Sequence, residues 1–213
     1  DKNYAWKCFN KSASLGYEKA IEFVQNIQQF LQTDLENAPV VLLTGKFATG
    51  KTTFIDALIN PYNKKDEMTT IGVLDYKVVH IENNQNYCLR IRDSMDLERF
   101  ASILPLCCRD VAVCIIMYSV TDRNSFKLID KYYNELKEKC DNPRFIIIGN
   151  KIDLANATVS VEEGEQRAKQ YGAAFIEVSS KRGTNVSLAL SLIARISREV
   201  GPNANNIQGI DVV

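Results

Sequence analysis

Apolar positions along this chain first follow a helical period and then alternate between strand-like and helical periods. Between Ser14 and Leu35 they recur three and four residues apart, which predicts an amphipathic helix. The sequence Asn37-Ala38-Pro39 ends that helix, because the residue before a proline is disfavoured in the helical region. Packing on the following domain is one role for the helix, and binding a partner or a second copy is the other.

Downstream of Pro39, short apolar runs alternate with segments of helical period. The predicted strands are PVVLLT, Val73–Ile81, Tyr87–Arg92, Val111–Ser119, RFIIIG and AFIEV, and the predicted helices are Lys51–Asn60, Ser125–Cys140, Val161–Tyr171 and Asn185–Val200. This order predicts an α/β domain with a six-stranded, mainly parallel sheet covered by helices on both faces. An NNQN turn would join the second and third strands as an antiparallel hairpin. We therefore divide the chain into an extension (1–38), a domain (39–200) and a polar tail or linker (201–213).

Composition excludes several classes of protein. Hydrophobic residues make up 46% of the chain, charged residues make up 24%, and the formal net charge is zero. Because zero net charge removes the bulk attraction that drives nucleic-acid binding, we expect no nucleic-acid partner. The sequence holds no run of about 18 apolar residues, the length that a membrane-spanning helix needs, and its first residues have no signal-peptide pattern.

The cysteines and the single histidine offer little catalytic chemistry. The six cysteines are irregularly spaced, and no two have the C-x-x-C spacing of a zinc site. We interpret them as reduced thiols of a cytoplasmic protein, with Cys107 and Cys108 the most exposed. His80 lies in a predicted strand, so any Ser-His-Asp or Cys-His chemistry would have to use it; a solvated strand histidine is the simpler interpretation.

The segment GKFATGKT, residues 45–52, directly follows the first predicted strand and matches G-x-x-x-x-G-K-[ST]. Backbone N–H groups of such a loop, and of the helix after it, can surround a phosphate. Lys51 would reach the β- and γ-phosphates, and the Thr52 hydroxyl would be a Mg²⁺ ligand. The predicted phosphate-binding residues of this segment are Gly45, Phe47, Ala48, Thr49, Gly50, Lys51 and Thr52.

The segment GNKIDL begins at the end of the fifth predicted strand, so Asn150, Lys151 and Asp153 lie at an edge where a base can bind. A carboxylate there accepts hydrogen bonds from the N1–H and amino groups of guanine, but it faces an unprotonated nitrogen on adenine. Because an unpaired buried acceptor is costly, such sites select by factors of up to about 10⁴ to 10⁵. N-K-x-D alone is a weak motif, but behind a phosphate loop it predicts GTP and GDP as ligands.

Six segments occur in the order, and near the spacings, of the Ras superfamily: GKFATGKT, TTIGV, IRDSMDLERF, YSVTDRNSF, GNKIDL and VSSKRGTNV. Over about residues 39–200 the chain resembles these small GTPases and is most similar to their Rab branch. The resemblance implies the three-layer sandwich of P-loop NTPases and Mg²⁺ as cofactor. It also implies Thr70 as a ligand of Mg²⁺ and of the γ-phosphate, Asp93 as a metal ligand through water, and Ser179, Ser180, Lys181 and Tyr62 as base contacts.

The family's D-x-x-G-Q segment reads DSMDL, residues 93–97, in this chain. Asp96 replaces the glycine whose amide reaches the γ-phosphate, and it brings a negative charge towards that phosphate. Leu97 replaces the glutamine that orients the attacking water, and Phe47 adds bulk to the phosphate loop where water or an arginine finger would enter. No catalytic residue of the family is intact, so we expect strongly impaired GTP hydrolysis.

These observations predict a guanine-nucleotide-binding switch of the Rab-like small GTPase type, with very slow hydrolysis, in vesicle trafficking or related signalling. The alternative is a pseudo-GTPase scaffold that binds nucleotide permanently or not at all. A third class, a P-loop kinase of small molecules, is disfavoured by the N-K-x-D and TTIGV segments.

Features outside the nucleotide site also differ from the Rab branch. Three aromatic residues usually form its partner-binding surface, and the nearest matches here are Tyr76, Arg92 and Cys107, so ordinary Rab effectors are not expected to recognise this chain. We still expect effector and exchange-factor proteins of unidentified kind as partners. No cysteine follows Cys140, so membrane association is expected only if a lipid is attached outside this sequence, where a further domain would also fit. The expected location is cytoplasmic, or peripheral to endomembranes if the protein is anchored.

Overall fold

The computed structural model describes residues 38–59, 74–82, 85–94 and 104–200. Its strands are β1 (Val40–Thr44), β2 (Leu74–Glu82), β3 (Gln85–Asp93), β4 (Val111–Ser119), β5 (Arg144–Asn150) and β6 (Ala174–Val178). Its helices are α1 (Lys51–Ile59), α2 (Leu104–Cys107), α3 (Arg123–Lys127), α4 (Ile129–Lys139), α5 (Val161–Gln170) and α6 (Val186–Val200). The predicted α/β class is confirmed.

The described strands form one sheet in the order β2-β3-β1-β4-β5-β6. Strands β3, β1, β4, β5 and β6 are parallel, and β2 is antiparallel to β3. The carboxyl ends of the parallel strands therefore meet at one edge of the sheet, which is where ligands bind in this class of fold.

Helices cover both faces of the sheet, since alternate residues of each strand face opposite sides. On one face Leu43, Ile115 and Ile148 pack with side chains of α1 and α6. On the other face Leu42 and Ile116 pack with side chains of α2, α3, α4 and α5. This two-sided burial explains the continuous apolar runs of β1, β4 and β5. Among the described helices, none is long and apolar enough to cross a membrane.

The bounds of several elements differ from the prediction, and three of the differences have a reason in local geometry. The expected helix Ser125–Cys140 is two helices, α3 and α4, because the chain forms a separate turn at Leu128, which ends one helix and begins the next. Helix α3 begins at Arg123, earlier than predicted, because the Asp122 carboxylate caps the helix by accepting a hydrogen bond from the Asn124 amide. The predicted NNQN turn is too long, since the hairpin register pairs Glu82 with Gln85 and places Gln85 and Asn86 in β3.

The predicted exposure of Cys107 and Cys108 is wrong. Their side chains are only 1% and 4% exposed. The short helix α2, which has no clear periodic signal in four residues, turns Leu104 and both thiols into the core on the α4 side of the sheet. The predicted helix before Asn37 and the polar tail lie outside the described residues.

Candidate functional site

The phosphate loop, residues Gly45–Thr52, connects the end of β1 to the start of α1. Its backbone has positive φ at Gly45 (146°), Ala48 (63°) and Gly50 (96°). A Cβ at Gly45 would overlap the carbonyl oxygen of Met117 in β4, and one at Gly50 would overlap the side-chain amide of Asn150. Both glycines are therefore required by backbone angle and by space, and the loop forms a cradle close to the sheet edge.

Lys51 crosses the phosphate loop from the first turn of α1. Its Nζ donates hydrogen bonds to the carbonyl oxygens of Gly45 (2.7 Å) and Lys46 (3.1 Å), and its side chain is buried. The ammonium group therefore lies on the concave side of the loop, held by neutral acceptors. Phosphate oxygens are stronger acceptors for this cation, so the arrangement suits an anion.

Thr52, near the start of α1, and Asp93, at the end of β3, bring together two oxygen atoms that can bind a metal ion. The Thr52 hydroxyl donates to Oδ2 of Asp93 over 3.0 Å, and Asp93 is fully buried at the end of β3, beside Leu43 of β1. The next residue, Ser94, holds this strand end in place by donating to the Leu43 carbonyl from both its amide and its hydroxyl. A hydroxyl and a carboxylate are the hard oxygen ligands that Mg²⁺ prefers, so the donor set fits the predicted metal.

Asn150, the last residue of β5, connects the predicted base site to the phosphate loop. Its side-chain nitrogen donates to the carbonyl oxygen of Thr49 over 2.9 Å. Its side-chain oxygen accepts from the amides of Lys151 (2.8 Å) and Ser180 (3.0 Å) and from the Ser180 hydroxyl (2.9 Å). Asn150 is 1% exposed, so these hydrogen bonds form in a region without water.

Lys151 adds a second connection between the two parts of the site. Its Nζ donates to the carbonyl oxygen of Ala48 over 2.7 Å, and its backbone has a positive φ of 71°. The extended side chain therefore runs from the end of β5 to the phosphate loop, as a lysine lying beside a bound nucleoside would. The ammonium end satisfies a loop carbonyl rather than a phosphate.

Asp153 is held by the segment that follows β6. The Ser179 hydroxyl donates to Asp153 Oδ1 over 2.7 Å, and this bond, together with the nearby charges of Arg182 and Lys181, holds the pKa of Asp153 below its ordinary value. The carboxylate is therefore ionised and in a fixed position, as guanine recognition requires. Lys181 is exposed and contributes charge rather than a hydrogen bond to this group.

The structure thus brings the predicted residues of the phosphate loop together with Asn150, Lys151, Asp153, Ser179 and Ser180 at one edge of the sheet. Phe47 lies in the loop with 55% of its side chain exposed. Tyr62, Thr70, Asp96 and Leu97 lie outside the described residues, so the structure does not test their predicted roles.

Sequence reasoning missed one residue pair at the loop. Lys46 donates to Asp122 Oδ2 over 2.8 Å, and the two residues are 76 positions apart. Burial acts to raise the pKa of Asp122, but hydrogen bonds from Lys46 and from the Asn124 amide hold the pKa below its ordinary value. No signal in a single sequence connects two such residues, because lysine and aspartate are common in any loop.

The predicted partner surface needs a correction at Cys107, which is buried and therefore is not available to a partner. Arg92 uses its guanidinium to donate to the carbonyl oxygens of Cys107 (2.9 Å) and Arg109 (3.2 Å). It thereby satisfies backbone acceptors left at the end of α2. The third position, Tyr76, lies in β2, where the strand register pairs it with Ile91 of β3.

A comparison with protein families agrees with this geometry. The model described as "Ras family" matches residues 39–199, a range that contains every residue of the predicted site.

Proposed function

Because this chain belongs to the Ras family, whose members are GTP-binding switches that hydrolyse GTP to GDP, we propose that it is a Rab-like switch with very slow intrinsic hydrolysis. Family membership establishes the small GTPase class. The Rab type, the low rate and a role in vesicle trafficking, on the cytoplasmic side of endomembranes, are our additions, supported by the sequence features described above.

One observation carries the proposal for the ligand: Asn150 is hydrogen-bonded to Thr49 in the phosphate loop and to Ser180 beside the base site. The phosphate loop and the base site, the two half-sites, are therefore one connected unit, and these hydrogen bonds fix their separation. Such preorganisation favours a ligand that has both a base and phosphates. Asp153, whose carboxylate is oriented by Ser179, would accept the two guanine hydrogens.

Thr52 and Asp93 would hold Mg²⁺, with Thr70 as a further ligand by resemblance. The ion would neutralise charge on the β- and γ-phosphates and fix their orientation. Asp93 would act through a water molecule, since its Oδ2 accepts directly from the Thr52 hydroxyl. Lys51 would donate to phosphate oxygens from the concave side of the loop, which supports nucleotide affinity rather than the chemical step.

Slow hydrolysis follows from the residues around the attacking water. Leu97 has no group that can orient water, and Asp96 adds a negative charge where the family has glycine. Phe47 is largely exposed on the phosphate loop, so its ring can obstruct an incoming arginine finger. Intact sites of this type hydrolyse GTP at on the order of 10⁻⁴ per second unaided, and a finger adds about 10³ to 10⁵.

The second candidate is a scaffold that binds nucleotide permanently or not at all. The replacements Asp96 and Leu97 favour it, because they remove the groups through which the family responds to the γ-phosphate and its attacking water. A scaffold would have the same fold and family and would differ only in its response to nucleotide.

Titration of fluorescent GTP and GDP against the purified chain, with and without Mg²⁺, tests the proposal. A switch binds both guanine nucleotides tightly with Mg²⁺, rejects ATP, and shows a different protease cleavage pattern over residues 68–100 in the two states. Binding without a difference in cleavage supports the scaffold, as does no binding. Single-turnover hydrolysis faster than about 10⁻³ per second without a partner would contradict the slow-hydrolysis part, because it exceeds the rate of an intact site.

A further inference from the structure

The side chain of Lys46 leaves the phosphate loop and ends on a different part of the fold. Its Nζ lies 2.8 Å from Oδ2 of Asp122, in the turn between β4 and α3. Lys46 and Asp122 have side chains 33% and 35% exposed, so the pair lies at the surface, beside the loop. This is an ion pair between the loop that would bind phosphate and a turn that would not touch the nucleotide.

Asp122 is a rigid anchor. Its other carboxylate oxygen, Oδ1, accepts from the amide of Asn124 and caps α3. Its backbone amide donates to the carbonyl oxygen of Ser119, and its own carbonyl accepts from the amide and the hydroxyl of Ser125. These hydrogen bonds fix the carboxylate relative to the end of β4 independently of Lys46.

Lys46 is also the residue through which the loop holds its own shape. Its carbonyl oxygen accepts from the Thr49 hydroxyl (2.8 Å), from the Thr49 amide (3.4 Å) and from Nζ of Lys51 (3.1 Å). Displacement of Lys46 would therefore move the acceptor for two neighbours at once. One of these neighbours is the lysine that would meet the phosphates.

We infer that Lys46 is a positioning residue: its ion pair with Asp122 holds the phosphate loop in the conformation that retains nucleotide. The inference rests on the proposed function, since it assigns the pair a role in nucleotide retention. The Lys46–Asp122 pair uses none of the groups that the proposed function assigns to the nucleotide, so it can support the loop without competing for the phosphates.

Arg123 and Glu163 supply a matched control. Arg123, the residue after Asp122, forms an ion pair with Glu163, and their side chains are 42% and 40% exposed. This pair joins α3 to α5 and has neither residue in the phosphate loop. Surface pairs of either kind make small contributions to stability. The Arg123–Glu163 pair is bidentate and Glu163 also caps α5, so its loss should cost at least as much stability as loss of the Lys46–Asp122 pair. An effect on the loop in the Lys46 variants alone is therefore not explained by a general loss of stability.

The experiment compares Lys46→Met, Asp122→Asn, their double variant, Lys46→Arg and Arg123→Met with the unaltered protein. Asparagine at 122 retains an oxygen that can cap α3, so this substitution removes the charge and little else. Two quantities are measured: hydrogen exchange of a peptide spanning the loop without nucleotide, and the release rate of fluorescent GDP with Mg²⁺.

We expect Lys46→Met and Asp122→Asn each to accelerate GDP release about two- to fivefold, the size of effect that exposed ion pairs have. The double variant should release no faster than the faster single variant, because both substitutions break the same pair. Lys46→Arg should restore slow release, and Arg123→Met should leave it unchanged. Loop hydrogen exchange should follow the same order.

The inference is overturned if Lys46→Met has the same loop hydrogen exchange and the same GDP release rate as Arg123→Met. It is also overturned if the effects of the two single substitutions add in the double variant. If the unaltered protein binds no GDP, the proposed function fails, and hydrogen exchange still decides whether the pair positions the loop. A lower melting temperature in Lys46→Met with unchanged loop exchange would show a structural role only, and would also overturn it.

Discussion

The side-chain amide of Asn150 donates to the carbonyl oxygen of Thr49 over 2.9 Å, and its oxygen accepts from three groups of Lys151 and Ser180. Asn150→Ala would remove four hydrogen bonds, of which the three with Thr49 and Ser180 are buried. An unsatisfied buried group costs about 1–3 kcal/mol, so we expect a loss of about 3 kcal/mol or more in the free energy of unfolding. Urea denaturation measures this.

Ser180→Ala is the control for that variant, because it removes only one hydroxyl hydrogen bond to Asn150 and leaves the backbone amide in place. Its expected cost is about 1 kcal/mol. If Asn150→Ala costs no more than Ser180→Ala, the Asn150 hydrogen bonds do not hold the two half-sites together.

Asp153→Asn tests base recognition. The amide oxygen can still accept hydrogen bonds, including the one from Ser179, but the amide nitrogen is a donor that would face the 2-amino group of guanine. We expect GDP affinity to fall about 100-fold or more, because hydrogen bonds to charged groups are replaced by a donor–donor contact. Xanthosine diphosphate has a 2-oxo group that accepts from the new amide, so its affinity should rise. Competition with fluorescent GDP measures both affinities.

The control for base recognition is Asp141→Asn, which removes the same charge from an exposed position before β5, at the opposite end of that strand from Asn150. Its affinities should equal those of the unaltered protein. An unchanged preference for GDP in Asp153→Asn would show that another group recognises the base.

Leu97→Gln tests the cause of slow hydrolysis. A glutamine can orient the attacking water, so we expect single-turnover hydrolysis to rise towards the order of 10⁻⁴ per second found with an intact site. The further change Phe47→Gly should make the protein responsive to an added arginine-bearing activator. Leu97→Asn, whose amide is shorter by one methylene, is the control and should give less gain. Equal rates in all variants would locate the defect elsewhere.

The cysteine cluster predicts a loss of stability at high pH. A hydrogen bond with Cys108 lowers the pKa of Cys140, but a hydrogen bond with Cys114 and burial together raise it from 9.0 to about 12. A hydrogen bond with Cys140, followed by burial, raises the pKa of Cys108 well beyond the usual range. Both thiols therefore stay protonated in the folded chain at pH values where the unfolded chain ionises.

Stability from these thiols is fully present below about pH 8.5, where both states are protonated, and it is lost as pH rises towards the folded pKa values. Within that window, each rise of one pH unit lowers the free energy of unfolding by about 1.4 kcal/mol per thiol. We expect the urea midpoint to fall from pH 8 to pH 10, and to fall less in Cys140→Ala. An equal fall in both proteins would show that other groups cause the pH dependence. The pKa values of the buried Tyr118 hydroxyl and of the partly buried Tyr171 hydroxyl are also raised.

The fold was predictable because β1, β4 and β5 are buried on both faces and the longer helices are buried on one. β4 was predicted with the bounds that the structure has, since Val111–Ser119 is an unbroken apolar run. The break at Leu128 was not predictable, because the residues on both sides fit one continuous apolar period and the interruption is a single turn. The burial of Cys107 and Cys108 was not predictable, because it is determined by a short helix without a repeating pattern.

The site was predictable where a local motif encodes it. The loop glycines were predicted from the motif GKFATGKT, and Asn150, Lys151 and Asp153 from the segment GNKIDL. What the motifs leave out is how these residues hold one another: the contacts Asn150–Thr49, Lys151–Ala48 and Ser179–Asp153 join positions 26 to 103 residues apart. Such contacts depend on the folded sheet edge and have no trace in residue spacing.

Gly45 limits how this protein can be altered, because the carbonyl oxygen of Met117 occupies the space a Cβ would need. A mutant library that seeks a new nucleotide preference should therefore leave Gly45 and Gly50 fixed, since most changes there would be lost to misfolding. Lys181 and Arg182 are exposed beside Asp153, so substitutions there meet no such steric limit and selection should concentrate on them.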